Sequence, residues 1–264
     1  MALLIRSGTL VTAAETFQAD ILVEGGKIAQ IGPHLTAPAD AEVVDASGML
    51  VLPGGVDAHV HLDLPMFGTV SSDDHYTGMK AAAFGGTTTV IDFISQDRSP
   101  LLANVAALKA KAEAKAAVDY SFHMNITRLD AQVEAEIPRL VGEGITSIKV
   151  FTAYNQRLRL QDGEIFRVMR IAGQNGILTM LHAENGDVID ILVAEALAAG
   201  HTAPEWHAHT RPAWGAVEAV LRGAALATQA QAPPVRGAYE RGGRGGSTGI
   251  CPSERPAGDG RDLP

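Results

Sequence analysis

Between residues 3 and 52, apolar residues come in short runs broken by Gly, Asp and Pro. The runs at 3–5, 10–12, 20–24, 27–32 and 42–45 have the length of strands. Gly25-Gly26, between two of them, is a hairpin signal. This stretch predicts a small all-β unit over residues 1–52. From Pro53 the rhythm changes. Apolar, β-branched runs at 55–61, 87–93, 120–127, 147–151 and 177–182 alternate with Ala-rich stretches of helical period. The predicted helices are 76–84, 100–117, 131–142, 162–175, 187–200 and 214–230. Alternation of this kind implies a parallel sheet with crossover helices. Strands apolar throughout imply a sheet covered on both faces. Both a doubly wound sheet and a barrel fit the alternation, but no GxGxxG follows the first of these strands. Histidines do, and barrel enzymes carry their chemistry at strand carboxyl ends. The barrel segment therefore spans 53–232. Residues 233–264 show neither period and hold eight Gly and five Pro, which predicts a disordered tail.

Bulk properties narrow the function. A net charge of −9 argues against a nucleic-acid partner. No apolar run approaches the roughly 20 residues that span a bilayer. The start, MALLIRSGTLVTAAE, lacks the apolar core and cleavage site of a signal peptide, and Cys251 is the single cysteine. The expected location is the cytoplasm.

Candidate chemistry begins in PGGVDAHVHLDLP, residues 53–65. His59 and His61 lie two apart on a strand, so their imidazoles share a side and can clasp a divalent metal. Taken alone, the pair also fits two partly exposed polar residues. His182 ends the apolar run 177–181 and precedes Ala-Glu-Asn-Gly. Lys149 lies within the apolar run SIKVF, where an ammonium is expensive to bury. Either it snorkels to the surface or pairs with a carboxylate, or chemistry has removed its charge.

The segments VDAHVHLDLP, SSDDHYTGMKAAAFGGTTTVIDF, DYSFHMNIT, SIKVFTAY and LHAENGD, in this order, resemble the amidohydrolase superfamily. Within it they are similar to the dihydropyrimidinase, hydantoinase and allantoinase group, and the likeness runs from about residue 3 to about residue 230. The resemblance implies an α/β chain: an incomplete TIM-type (β/α)8 barrel preceded by the N-terminal part of a small β-sandwich domain. It implies two divalent ions, zinc in most relatives, bridged by N6-carboxylated Lys149. His59 and His61 would hold one ion and His182 the other. Carboxylation needs a neutral amine, which burial favours. Asp57 would orient the histidine pair. Tyr154 would donate to the developing oxyanion. A hydroxide bridging the ions would open a small cyclic amide, a 5,6-dihydropyrimidine or 5-substituted hydantoin, to an N-carbamoyl amino acid.

Leu62, Asp63 and Leu64 stand where dihydroorotases carry an Arg, and the apolar loop of Leu64, Pro65, Met66 and Phe67 suits a neutral ring substituent. Allantoin is less favoured. Arg157, Leu158 and Arg159 fall in the region that shapes this pocket in the family. An allantoinase-like hydrolase and a non-catalytic interaction protein are the other readings. The resemblance implies a homo-oligomer, often a tetramer, for full-length relatives, and a closed assembly is not expected of this truncated chain. His34, His75, His123, His201, His207 and His209 are expected to be structural or solvent-facing.

Family members bring a further histidine on the sixth strand and an aspartate on the eighth, and this sequence has no histidine after His209. The expectation is a truncated, inactive chain. Codons for Pro233 to Arg241 read one base later permit Leu-Tyr-Val-Val-His-Thr-Ser, so a frame shifted near residue 232 is expected. Sequencing the DNA there tests it.

Overall fold

The computed structural model describes residues 2–66, 68–232 and 236–238. Two compact units emerge, residues 1–56 with 82–89, and residues 57–81 with those from 90 onward.

In the first unit, β1 (Ala2–Val11), β2 (Thr16–Glu24), β3 (Lys27–Gly32), β4 (Glu42–Asp45) and β5 (Leu50–Val51) form one sheet, ordered β3-β2-β1-β4 with β5 also on β1. The β1–β2 and β2–β3 pairs are antiparallel, while β4 and β5 run parallel to β1. Runs 3–5 and 10–12 are one strand, not two. The register shifts between Ile5 and Gly8, and Ser7 has φ 61°, the mark of a bulge. Asp20 holds this bulge by accepting the Ser7 N–H at 2.8 Å, and that bond leads in keeping its carboxyl below the usual range. Gly25 and Gly26 have φ 57° and 77°, as a type I′ hairpin turn demands. Leu10, Ala19 and Ile21 are the buried centre of the unit, while Ile28, Ile31, Val43, Val44 and Leu50 are exposed.

The second sheet begins with β6 (Gly55–Val60), followed by a short hairpin of β7 (Pro65–Met66) and β8 (Thr69–Val70). Strand and helix then alternate: α1 (His75–Phe84), β9 (Thr87–Ile94), α2 (Leu101–Glu113), β10 (Asp119–Asn125), α3 (Ala131–Glu136), β11 (Ser147–Phe151), α4 (Asp162–Gln174), β12 (Leu178–His182) and α5 (Gly186–Ala198). Then come α6 (Trp206–His209), α7 (Ala213–Ala230) and β13 (Arg236–Ala238). The sheet order is β13-β12-β11-β10-β9-β6, and the pairs from β10 to β13 are parallel. Each strand lies beside its predecessor with no reversal. A doubly wound sheet needs such a switch point; a barrel winds one way round. The architecture is thus an incomplete (β/α)8 barrel with a separate β-sheet.

Ile94, Phe122, Met124, Ile148, Val150 and Leu181 on the strands join Val105, Ile165 and Met169 on the helices in one buried cluster. Each such side chain contributes about 1.5–3 kcal/mol of burial. Two further expectations change. β6, predicted to be covered on both faces, is exposed from Gly55 to His59, because it is the edge of its sheet. The helix predicted over 131–142 leaves the α-helical form at Glu136 and continues as 3-10 turns over Ile137–Glu143, since Pro138 cannot donate to the α ladder. The tail 233–264, predicted to be disordered, lies outside the described residues apart from β13. Among the described residues no helix is long and apolar enough to cross a membrane.

Candidate metal centre

Phe93 on β9 is the common neighbour of four polar side chains. Its ring centroid lies 4.7 Å from His59, 5.0 Å from His61, 4.7 Å from His123 and 4.6 Å from the Lys149 Nζ. The His59 and His61 rings are 5.2 Å apart and nearly perpendicular. Lys149, in the middle of β11, is 5% exposed, and its Nζ is also 5.3 Å from the Phe151 ring. Two aromatic faces partly offset the cost of burying an ammonium, by about 0.5–2 kcal/mol each.

Phe151 carries the contacts onward. It is in register with His182 on β12, their rings 5.9 Å apart, and Tyr154 lies 5.0 Å from the His182 ring. The sequence-predicted residues from His59 to Tyr154 therefore form one continuous set, threaded on Phe93 and Phe151. Among the described residues no three His, Cys, Asp or Glu gather closely enough to hold an ion by themselves. The donor set fits a metal only if Lys149 supplies an anionic oxygen.

Residues 50–221 match the Amidohydrolase family. The chain belongs to the amidohydrolase family. It is 49% identical to a D-hydantoinase of Geobacillus stearothermophilus over 80% of this chain and 45% of that protein. It is 37% identical to Dihydropyrimidinase 1 of Caenorhabditis elegans over 88% of this chain and 48% of that protein. Among solved structures, the dihydropyrimidinase of Brevibacillus agri NCHU1002 superposes with a TM-score of 0.87 at 46% identity, covering 90% of this chain and 51% of that one. The chain spans about half the length of the curated relatives it matches.

In this amidohydrolase chain Glu184, absent from the sequence expectations, holds His182. Its Oε2 is 2.8 Å from the His182 Nε2, and this bond is the main cause holding the Glu184 carboxyl below its usual range. With Nε2 engaged, Nδ1 is the ring nitrogen left for an ion. The signal was present in the sequence as a carboxylate two residues past the strand-ending histidine. Glu184 is itself placed by Thr152, whose hydroxyl accepts the Glu184 N–H at 3.0 Å.

Asp57 acts on the backbone. Its Oδ1 accepts the His59 N–H at 3.1 Å. Leu64 is half-buried, and its N–H donates to the Ser71 Oγ at 2.9 Å. Phe67 lies outside the described residues. His123 bonds through Nε2 to the Ala58 carbonyl at 3.0 Å and through Nδ1 to the Ser147 hydroxyl. Burial pushes its imidazole down, so it stays a neutral tie between β10 and β6.

Tyr154 has φ 63°, and its carbonyl accepts the N–H groups of Arg157 and Leu158 at 2.9 and 3.0 Å. The turn is locked by Asn155, whose Nδ2 donates to Asp187 at 3.0 Å and Asp190 at 2.9 Å, and by Arg159, which pairs with Asp187 and donates to the Asn155 Oδ1 at 2.8 Å. Gly186, at the start of α5, lets this turn approach. A Cβ there would lie 2.5 Å from the Asn155 Oδ1 and 2.8 Å from the Ala153 Cα. Gly→Ala ordinarily favours a helix. Here Gly186→Ala is expected to cost about 1–3 kcal/mol through overpacking, read as a lowered urea midpoint.

His75 is fully buried. Its Nδ1 is 2.9 Å from the Asp63 Oδ2, and its Nε2 is 3.3 Å from the Asp92 Oδ2 as an ion pair without hydrogen-bond alignment. Burial pulls the imidazole down, but Asp92 and Asp63 together hold it above its ordinary value. A raised histidine contributes stability that is complete below the unfolded value of about 6.5 and lost as pH rises through the folded one. The melting-temperature difference between the protein and His75→Gln is therefore expected to shrink from pH 6 to pH 9.

Proposed function

We propose that this chain contributes the metal-binding half of a cyclic-amide hydrolase acting on a 5,6-dihydropyrimidine or 5-substituted hydantoin. The gathering of His59, His61 and Lys149 around Phe93 carries the reading. In the net reaction the ring C–N amide bond breaks, a water oxygen joins the carbonyl carbon and a proton joins the nitrogen. The product is an N-carbamoyl amino acid.

His59 and His61 would hold one divalent ion, zinc being the best match to imidazole donors, through neutral ring nitrogens. His182 would hold a second through Nδ1. Lys149 would bridge them after its amine adds carbon dioxide, forming an N–C bond and releasing a proton. The bound ions supply Lewis acidity toward water and the carbonyl oxygen. Tyr154, 38% exposed beside His182, would donate its hydroxyl to the carbonyl oxygen as negative charge develops. Leu64 would line the side of the pocket that meets the ring substituent.

The 264-residue polypeptide alone would not turn over, since no histidine follows His209. A chimaera of residues 2–230 with the C-terminal half of the Geobacillus D-hydantoinase tests the whole reading. It is expected to hold zinc and open dihydrouracil and phenylhydantoin in preference to allantoin. A folded, zinc-loaded chimaera inert on all three would leave a non-catalytic binding protein instead. Preference for allantoin would move the chain to that subgroup.

A further inference from the structure

We propose that the buried carboxylate of Asp92, charge-balanced by His75, is a positioning residue that sets the turn carrying His61 and Leu64; the inference rests on the metal-site reading above.

Asp92 is 1% exposed and immediately precedes Phe93, the ring on which both His59 and His61 pack. Its oxygens lie 3.5 and 3.4 Å from the Leu62 N–H, the first amide after His61, and its Oδ1 also accepts the Phe93 N–H at 2.7 Å. One carboxylate thus bonds the Phe93 N–H closely and the Leu62 N–H at long range, one at the ring on which His61 rests and one beside His61 itself.

Asp63 has φ 49°, a left-handed conformation open to Asp because its short carboxylate can bond locally, and here that carboxylate is held by His75 and Lys115. Its Oδ2 is bonded by the His75 Nδ1 at 2.9 Å and by the His75 backbone N–H at 3.3 Å, and the Lys115 Nζ lies 3.4 Å away. Lys115 in turn pairs with Asp74 at 2.9 Å. Beyond Asp63, Leu64 exchanges bonds with Ser71, its N–H to the Ser71 Oγ and its carbonyl from the Ser71 N–H, both 2.9 Å. The chain Asp92–His75–Asp63 therefore links the carboxyl-terminal part of β9 to the turn, and the turn to the loop that presents Leu64.

Stability alone is a poor reason for this arrangement. Apolar side chains of similar size usually replace buried ion pairs without loss, and a half-met network is costly. What an ionic chain of fixed length adds is one defined geometry for the residues at its ends.

The test uses the 264-residue chain with Asp92→Ala, Asp92→Asn and His75→Phe, and reads amide hydrogen exchange together with zinc affinity by chelator competition. In Asp92→Ala the Leu62 and Phe93 amides are expected to exchange at least ~10-fold faster, while the amides of β11 and β12 change by less than about twofold. Zinc affinity is expected to fall by about 10–100-fold, the usual loss when an outer partner of a metal ligand is removed. Asp92→Asn, which keeps an acceptor for both amides, is expected to recover most of the slow exchange. His75→Phe is expected to loosen Leu62 more than Phe93. An even rise in exchange through the whole sheet would overturn the proposal, as would faster exchange at Leu62 with zinc affinity unaltered. If the unmodified chain binds no zinc, the metal-site reading fails, and selective loosening of Leu62 and Phe93 alone decides whether Asp92 sets the turn.

Discussion

Lys149→Met is expected to give a folded chain that no longer holds zinc. Lysine at 5% exposure in the centre of β11 faces two aromatic rings and the interior. Methionine keeps most of its length without a charge, and exchanging a buried ion for an apolar residue is commonly neutral or stabilising. The melting temperature of the metal-free chain should hold or rise. Zinc affinity should fall by more than the ~100-fold upper range seen for loss of an outer partner, because a donor itself is gone. If Lys149 is carboxylated as proposed, carbon dioxide and zinc are mutual effectors. Phe93 and Phe151 favour the ammonium over an anion, so carboxylation gains ground only when cations stand by. By linkage, zinc must bind more tightly as bicarbonate is raised and more weakly in degassed buffer. Intact-mass measurement of the zinc-loaded chain should show the added mass of one carbon dioxide. Unchanged zinc affinity in Lys149→Met would remove the lysine from the ligand set.

Tyr154→Phe in the chimaera is expected to lower kcat by about 100–1000-fold while KM moves little, the pattern for a donor engaged only as charge develops. The turn makes the expectation specific. Asn155, Arg159 and Asp187 fix the left-handed backbone at Tyr154, so its ring has little freedom to be replaced by a neighbour. Steady-state kinetics on phenylhydantoin checks it. A twofold effect would mean that the hydroxyl does no more than pack beside His182.

Local pattern was a good guide where local pattern decides structure. β3, β4 and β11 begin and end where their apolar runs do. The Gly25-Gly26 hairpin formed as its turn chemistry requires. Pattern failed where the cause was distant. The bulge that joins runs 3–5 and 10–12 depends on Asp20 from the neighbouring strand. The exposure of β6 follows from its place at the edge of a sheet, which no window of its own sequence encodes. Phe93 has no feature in its own sequence window that sets it apart, yet His59, His61, His123 and Lys149 all pack on its ring. His75 is the structural helix-start histidine the sequence suggested, but its partners, Asp63 and Asp92, come from a turn and a strand elsewhere in the chain and could not be read locally. Glu184 was within reach of sequence reasoning, two positions after His182.

The placement of Phe93 also makes the site observable. The rings of His59, His61 and His123 lie within 4.7–5.0 Å of its centroid, close enough for their protons to feel its ring current. An imidazole that turns by a few degrees on taking up an ion must therefore move its proton resonances, while His123, tied to Ala58 and Ser147, serves as the fixed reference. Titrating zinc into the protein and following three histidine signals would report assembly of the centre without substrate, activity or label.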